Sequence, residues 1–231
     1  MSHHDHTEEH GQFSYVIRDA VIGLADGLTV PFALAAGLSG VVNSTSLIVT
    51  AGVAEIAAGA IAMGLGGYMA ARTEAEQYHS ERLRETLEVE RVPHIEEKEV
   101  TDILEEYGVP HEEALLVTAA LKKNPERWVD FMMRFELGLE KPNPSELLHT
   151  PLTIGFSYII GGLIPLLPYM IYDHASKALP VSVVVTLLAL AIFGTIKGHF
   201  IGISKLKSAF QTTLIGGLAA AVAFGLARLL G

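Results

Sequence analysis

Two carboxylates stand inside long apolar runs of the sequence. Asp26 lies in the run Ala20–Leu38, and Glu55 lies in the run Leu47–Ala71. A charged group at membrane depth costs roughly 2.5–3.5 kcal/mol on insertion scales, so such residues usually face a helix-bundle interior or an ion path. A carboxylate that stays protonated and bonds to a neighbouring helix is the structural alternative. The placement favours a functional role for both residues.

The neighbours of these carboxylates indicate what they would hold. Gly27 and Pro31 follow Asp26 and can loosen the helix, which would free backbone groups to line a cavity. Met63 shares a helical face with Glu55. Carboxylate oxygen together with thioether sulfur suits a borderline cation such as Fe²⁺, and it suits Mg²⁺ or Ca²⁺ poorly. A buried methionine, however, usually serves packing alone.

A second set of acidic residues lies between the second and third apolar runs. Like charges at helical spacing repel one another, and a bound cation would reverse that penalty. A solvated acidic face explains most such runs, so spacing alone leaves both interpretations open. No Asp-rich loop with EF-hand spacing occurs, and dedicated calcium binding is not indicated. The residues are Glu81, Glu85 and Glu88 on one face, Glu96 and Glu99 one turn apart, and Met132, Met133 and Glu136 within one turn.

Two Glu-x-x-His patterns, Glu76/His79 and Glu146/His149, offer a different chemistry. In di-iron carboxylate bundles such pairs, one on each of two helices, help to hold two metals. The pattern is short enough to arise by chance, so it supports only an alternative function, a membrane-tethered di-iron oxidase. The histidine-rich tract Met1–His10 could bind metal weakly, but we favour a flexible tail.

Charge and apolar residues are segregated along the chain. Half of the 231 residues are hydrophobic, the mean hydropathy is +0.37 and the net charge is −10. The segment Glu74–Glu146 carries all of this net charge, with nineteen acidic residues against nine basic ones. Long apolar runs exclude a single soluble globule, and no basic stripe indicates nucleic-acid binding. The absence of cysteine excludes disulfides, zinc–cysteine sites, iron–sulfur clusters and thiol nucleophiles.

Five apolar segments can cross a bilayer, which takes about 20 residues per helix. We expect no secretory signal, because the first ten residues are polar. Lysine and arginine cluster after the second and fourth segments, which places both clusters, the N-terminus and the acidic segment in the cytosol and the C-terminus across the membrane. The five segments are Ala20–Leu38, Leu47–Ala71, Leu152–Tyr172, Val181–Ile196 and Phe210–Ala227.

The acidic segment predicts short helices, and no strand pattern competes. The second span should continue through Arg72–Val89, because neither Gly nor Pro interrupts it, and Pro93 should end it. Further pieces bounded by Gly, Pro or Asn-Pro are expected at Ile95–Tyr107, Glu112–Lys123 and Glu126–Leu139. The predicted fold is an all-α membrane protein with five transmembrane helices and an acidic helical domain between the second and third. The predicted boundaries are 1–15 for a polar tail, 16–72 for two spans, 73–146 for the acidic domain and 147–231 for three spans.

Glycines repeat every four residues in two spans, as Gly23/Gly27 and as Gly194/Gly198/Gly202. This small-residue spacing lets membrane helices approach closely. The sequence alone does not separate packing within one subunit from a seam between two subunits.

Two long motifs resemble the signature of vacuolar iron transporters. The first is DGLTVPFALAAGL, beginning at Asp26, and the second is AEIAAGAIAMGLGGYMA, beginning at Ala54. The resemblance extends over nearly the whole chain and includes the acidic segment. It is therefore to the plant type of the family, not to the nodulin-like branch that lacks this segment.

The resemblance implies a homodimer with five spans per subunit that moves Fe²⁺ from cytosol to vacuole in exchange for protons, without a prosthetic group. It implies that Asp26, Glu55 and Met63 line the transport path at the dimer interface. It also implies that a cytosolic domain binds metal through Glu85, Glu88, Glu96, Glu99, Met132, Met133 and Glu136. Zn²⁺, Co²⁺, Ni²⁺ and Mn²⁺ are further candidate ions.

The predicted function is thus a proton-coupled antiporter of the vacuolar membrane and not an enzyme. Its predicted partners are a second copy of the chain, divalent metal ions, protons and the lipid bilayer, with no nucleic acid. The alternatives are the di-iron oxidase and a metal-gated divalent cation channel, in which the acidic domain would regulate a pore.

Overall fold

The computed structural model describes residues 10–230, and side chains from Tyr15 onward. The histidine-rich tract Met1–His10 therefore lies outside the described residues except for His10. Within the described range the regular elements are all α-helices, as predicted. They are α1 His10–Ser39, α2 Thr45–Arg91, α3 Pro93–Glu106, α4 His111–Leu121, α5 Pro125–Phe135, α6 Glu146–Ile171, α7 Ala175–Ile201 and α8 Lys205–Leu230.

Five of these helices, α1, α2, α6, α7 and α8, are long and apolar enough to cross a membrane, which confirms the predicted number of spans. The chain divides into two compact units. The spanning unit comprises the described residues up to Tyr68 and from Leu148 onward, and the inserted unit comprises Met69–Leu147.

The spanning unit has an apolar interior and an apolar surface. Its largest core cluster joins α1, α2, α6 and α7 through residues such as Ile48, Leu166 and Tyr169. Large side chains such as Ile61 and Leu188 remain exposed on the outside of the unit. A soluble protein rarely exposes so much contiguous apolar surface, whereas a bilayer covers it.

Proline begins two helices of the inserted unit, where the sequence analysis expected it only to end the preceding one. α2 ends at Arg91, and α3 starts at Pro93, two residues before the predicted start. α5 starts at Pro125, and the side chain of the preceding Asn124 accepts a hydrogen bond from the backbone N–H of Arg127 at 3.3 Å. Proline fits the first helical position because the N–H that it lacks has no partner there.

The repeated glycines pack helices together within one chain. A Cβ atom at Gly23 or Gly27 would lie 2.3 Å from a backbone oxygen of α6, and one at Gly194 would lie 2.7 Å from the Cα of Ala209 in α8. Gly198 also packs against α8, but Gly202 ends α7 with φ of 76° and serves as its cap. The close-packing role expected of the spacing thus applies to four of the five glycines.

Gly27→Ala is expected to destabilise the protein, by about 1–3 kcal/mol, because the new methyl group meets backbone that no side-chain rotation can move. The matched control is Gly66→Ala in α2, where an added Cβ meets nothing within 4 Å. Alanine favours a helix over glycine by up to about 1 kcal/mol, so the control should be neutral or stabilising. Thermal unfolding of the detergent-purified variants measures both. Equal effects of the two substitutions would contradict this packing.

Candidate metal site and intramembrane carboxylates

Three glutamates from three segments of the inserted unit converge on one point. Glu85 comes from α2, Glu96 from α3, and Glu136 directly follows α5. Each offers a carboxylate oxygen, and the three oxygens lie within 4.8 Å of one another. Glu85 and Glu96 are only 1% and 3% exposed, while Glu136 is exposed. Three carboxylate oxygens that converge in this way could hold a divalent cation.

An apolar cluster holds the three helices beside these carboxylates. It joins side chains of α2, α3 and α5 and contains the only tryptophan of the chain, Trp128, which is 2% exposed. Its buried members are Tyr78, Val89, Val100, Trp128, Val129, Met132 and Met133.

The two buried glutamates keep oxygen atoms without a protein partner. Oε2 of Glu85 and Oε2 of Glu96 are inaccessible and accept no hydrogen bond. A buried polar atom left unpaired costs free energy, and this cost is largest for a charged group. Binding of either a proton or a cation would therefore stabilise both carboxylates.

Burial and mutual repulsion shift the proton affinity of this cluster. Burial raises the pKa of Glu96 to about 7, and the charges of Glu99, Glu85, Glu88 and Glu136 add to it. Glu136 is exposed as a residue, but partial desolvation of its carboxyl group raises its pKa to about 7, with the charges of Glu85 and Glu99 contributing. Burial also raises the pKa of Glu85, against a hydrogen bond from Arg84 that lowers it. Glu96 and Glu136 therefore exchange protons close to neutral pH.

The remaining predicted ligands of this domain do not belong to the group of three converging carboxylates. Glu88 and Glu99 are half-buried, and their charges act on Glu96. Met132 and Met133 are buried in the apolar cluster, and packing alone accounts for their position. A role of these four residues as metal ligands stays a prediction.

In the spanning unit, Glu55 is bound to a residue that the sequence analysis did not single out. The hydroxyl of Tyr158, in α6, donates a hydrogen bond of 2.5 Å to Oε1 of Glu55, whose Oε2 is buried without a partner. Tyr158 is 2% exposed and packs so closely that a Cβ at Gly27 or Gly59 would collide with it. The sequence signal that could have identified Tyr158 is a tyrosine inside a span without charged residues, because a buried tyrosine hydroxyl usually has a hydrogen-bond partner.

Asp26 lies within electrostatic reach of Tyr158, but its own side chain is exposed on the surface of the single chain. Met63 is half-buried in α2. Tyr158 thus interacts with both carboxylates, with Glu55 through a hydrogen bond and with Asp26 through its charge.

Helix α1 runs unbroken through Gly27 and Pro31, so neither residue interrupts the first span. The glycine serves close packing against Tyr158 instead. Proline still has no N–H, so it cannot donate to the carbonyl oxygen of Gly27 four residues before it. One backbone acceptor beside Asp26 is therefore deprived of its usual helical donor.

The Glu-x-x-His patterns form no comparable site. The carboxylate of Glu76 pairs with Arg72 at 2.7 Å, and the ring of His79 contacts the ring of Tyr78 edge-on. In the part of the chain that the structure describes, neither Glu76/His79 nor Glu146/His149 belongs to a group of three or more potential metal ligands. The geometry gives the di-iron alternative no support.

Five helices of membrane-spanning length, two of which carry carboxylates in their apolar runs, together with a separate cluster of convergent glutamates, define a multi-pass membrane protein with candidate ligands for divalent cations. The chain belongs to the VIT family, whose model matches residues 17–228. This confirms the resemblance found in the two motifs.

The similar proteins are named as transporters. The chain is 56% identical over 224 residues to vacuolar iron transporter 1 of Arabidopsis thaliana, covering 96% of this chain and 89% of the relative. It is 54% identical over 224 residues to vacuolar iron transporter 2 of Oryza sativa subsp. japonica, covering 97% and 91%. Protein CCC1 of Saccharomyces cerevisiae is 38% identical over 224 residues, covering 94% and 69%. These names agree with the prediction that the protein is not an enzyme.

Proposed function

We propose that this protein is a proton-coupled antiporter that moves Fe²⁺ from the cytosol into the vacuole. The observation that carries the proposal is the pair of carboxylates within spanning helices, Asp26 and Glu55, which both interact with Tyr158. The names of the relatives support iron as the cargo and the vacuole as the compartment. Zn²⁺, Co²⁺, Ni²⁺ and Mn²⁺ remain candidate cargoes, because the same ligand types accept them.

The inserted unit is proposed to lie in the cytosol and to capture metal before transport. Its glutamates concentrate cations by charge, and the convergent oxygens of Glu85, Glu96 and Glu136 would bind one directly. Glu88, Glu99, Met132 and Met133 complete the proposed ligand set. Thioether sulfur in this set would bias binding toward softer transition metals.

The membrane carboxylates are proposed to couple metal to protons. Asp26, Glu55 and Met63 would bind the metal in the transport path, and carboxylates bind metal only when deprotonated. An acidic vacuolar lumen would protonate them and so expel the metal. Each carboxylate then returns with a proton, which makes the exchange obligatory.

The exposed Asp26 supports a homodimer. A carboxylate on the outer surface of a spanning helix would face lipid in a single chain, at a cost of about 2.5–3.5 kcal/mol. A second copy packed against this face would cover Asp26 and bring two sets of Asp26, Glu55 and Met63 together. With the N-terminus and the inserted unit in the cytosol, the C-terminus lies in the lumen.

The test is Fe²⁺ uptake into proteoliposomes with and without an acidic interior, while the internal pH is recorded. We expect uptake that needs the acidic interior and that raises the internal pH. Uptake that is indifferent to the gradient would overturn antiport in favour of a channel. Absence of uptake under both conditions would overturn the transport function.

Tyr158→Phe is expected to lower Fe²⁺ uptake about tenfold, because it removes the hydroxyl that orients Glu55, and loss of such an outer-shell partner typically weakens a metal site 10–100-fold. The matched control is Tyr169→Phe in the same helix. Tyr169 is equally buried, but its hydroxyl bonds to Ser39 and not to a carboxylate. Initial uptake rates at several Fe²⁺ concentrations compare the two variants. Equal losses would mean that hydroxyl removal from α6 acts only through packing.

A further inference from the structure

One arginine contacts the acidic cluster of the inserted unit from α2. The guanidinium of Arg84 lies 3.0 Å from Oε2 of Glu81, 3.3 Å from Oε1 of Glu85 and 3.5 Å from Oε2 of Glu88. Glu85 and Glu88 belong to the proposed metal ligands, whereas Glu81 does not. The same side chain therefore binds two ligand oxygens and one oxygen outside the ligand set.

Arg84 is also the exception in an otherwise negative environment. The charges that raise the pKa of Glu85, Glu96 and Glu136 come from other glutamates, whereas Arg84 lowers the pKa of Glu85 and of Glu136. Its own pKa is raised, chiefly by the hydrogen bond to Glu85, so it is a permanent cation. The positive charge partly offsets the repulsion that the glutamates would otherwise suffer.

The position of Arg84 allows it to leave. Its side chain is 52% exposed, whereas that of Glu85 is 2% exposed. An exposed guanidinium can leave its ion pair at little cost, because water already solvates it. A buried carboxylate, in contrast, needs a positive partner, which a bound metal ion could replace. A carboxylate oxygen that coordinates a metal cannot at the same time keep the guanidinium at full strength, because both cations repel each other at this distance.

We propose that Arg84 is a resident counter-ion of the acidic cluster, which competes with the divalent cation for Glu85 and Glu88 and so sets the affinity of the site. This inference rests on the proposed function for the existence of the metal site. On metal binding, Arg84 releases these two carboxylates and keeps its contact with Glu81. In the metal-free protein, Arg84 holds the glutamates together without filling the unpaired Oε2 atoms of Glu85 and Glu96.

The test is a Co²⁺ titration of the full-length protein in detergent, followed by the fluorescence of Trp128. Co²⁺ is a borderline cation that, unlike Fe²⁺, is not readily oxidised in air. Trp128, the only tryptophan, lies in the apolar cluster of the inserted unit. The signal therefore reports on this unit and not on the spanning helices. Arg84→Gln is expected to bind Co²⁺ about three- to tenfold more tightly than the wild type, because the half-exposed guanidinium no longer competes for Glu85 and Glu88.

Two comparisons separate competition from a general effect of charge or folding. Arg91→Gln removes the same charge from the same helix, and Arg91 forms no ion pair among residues 15–230. It should change the Kd less than twofold. Arg84→Lys keeps the charge without the planar fork and should give an intermediate Kd. The advantage of Arg84→Gln should shrink in 1 M salt, which screens exposed pairs, while a purely structural role would not respond in this way.

The metal-free proteins supply an independent readout. Without metal, Arg84→Gln should melt at a lower temperature than the wild type. Saturating Co²⁺ should raise the melting temperature of Arg84→Gln by more than it raises that of the wild type. An unchanged or weaker Co²⁺ affinity of both Arg84 variants, with wild-type affinity intact, would overturn the inference and leave the proposed function standing. A wild-type protein that binds no Co²⁺ at the inserted unit would overturn the metal site and the inference with it.

Discussion

Asp26→Asn is expected to abolish Fe²⁺ uptake and to leave Co²⁺ binding by the inserted unit unchanged. The substitution keeps the size of the side chain and removes its negative charge, which a metal ligand and a proton carrier both require. Loss of an outer-shell partner already weakens metal sites 10–100-fold, so loss of a proposed ligand should reduce uptake by at least about a hundredfold. Asp26→Ala should have the same effect.

Two measurements make this result specific. Uptake into proteoliposomes gives the transport rate, and the Trp128 titration shows whether the inserted unit still binds metal. The control is Asp173→Asn, because Asp173 is an exposed carboxylate between α6 and α7 and lies outside the spans. It should transport like the wild type. Normal transport by Asp26→Asn would refute the proposed intramembrane site.

Because Asp26 is exposed in a single chain, this prediction also bears on the proposed homodimer. In a single chain the carboxylate has no protein cover, so its pairing must come from elsewhere if it faces the transport path. The proposed homodimer would supply that cover and would make each transport path depend on both copies. Mixed dimers of wild-type and Asp26→Asn chains should then transport less than half as fast as the wild type.

The sequence was sufficient for the helices and their number, because the governing signals are local. Five apolar runs of bilayer length predict five spans, and Gly and Pro mark the ends of the short helices. The errors are local as well. Pro93 and Pro125 begin helices, which a rule that treats proline only as a terminator misses.

Contacts between distant segments could not be predicted in the same way. Spacing brought Glu85 and Glu88 onto one face, but only packing of α2 against α3 and α5 side chains places Glu96 and Glu136 next to Glu85. Tyr158 is separated by 103 positions from the glutamate that it binds, and nothing in the local pattern of α6 names that partner. The glycine repeats predicted that helices pack closely, but only the structure shows which helices they pack against.

The affinity of the inserted unit for metal should rise about a hundredfold between pH 6 and pH 8. Glu96 and Glu136 each have a pKa of about 7 and must lose a proton before they bind metal. Between pH 6 and pH 8, deprotonation of each group raises the affinity by about a factor of ten, so the two groups together raise it about a hundredfold. Co²⁺ titrations at several pH values measure the slope.

A single substitution tests which groups carry this slope. Glu96→Gln removes one titrating ligand, so its affinity should be lower at pH 8, and the change between pH 6 and pH 8 should fall to about tenfold. Glu113→Gln, at an exposed position in the first turn of α4, is the control and should keep the full slope. A wild-type affinity that is flat over this pH range would show that the two raised carboxyls do not bind the metal.

The stability of the metal-free unit should depend on pH in the opposite direction. Because the pKa of Glu96 and of Glu136 lies above the ordinary value of 4.5, the folded unit binds more protons than the unfolded chain at intermediate pH. The stabilisation is therefore complete below about pH 4.5 and is lost as the pH rises through about 7. Unfolding followed by Trp128 fluorescence should show a melting temperature that falls from pH 5 to pH 8 without metal. Saturating Co²⁺ should oppose that fall, because a bound cation then replaces the protons on the same oxygens.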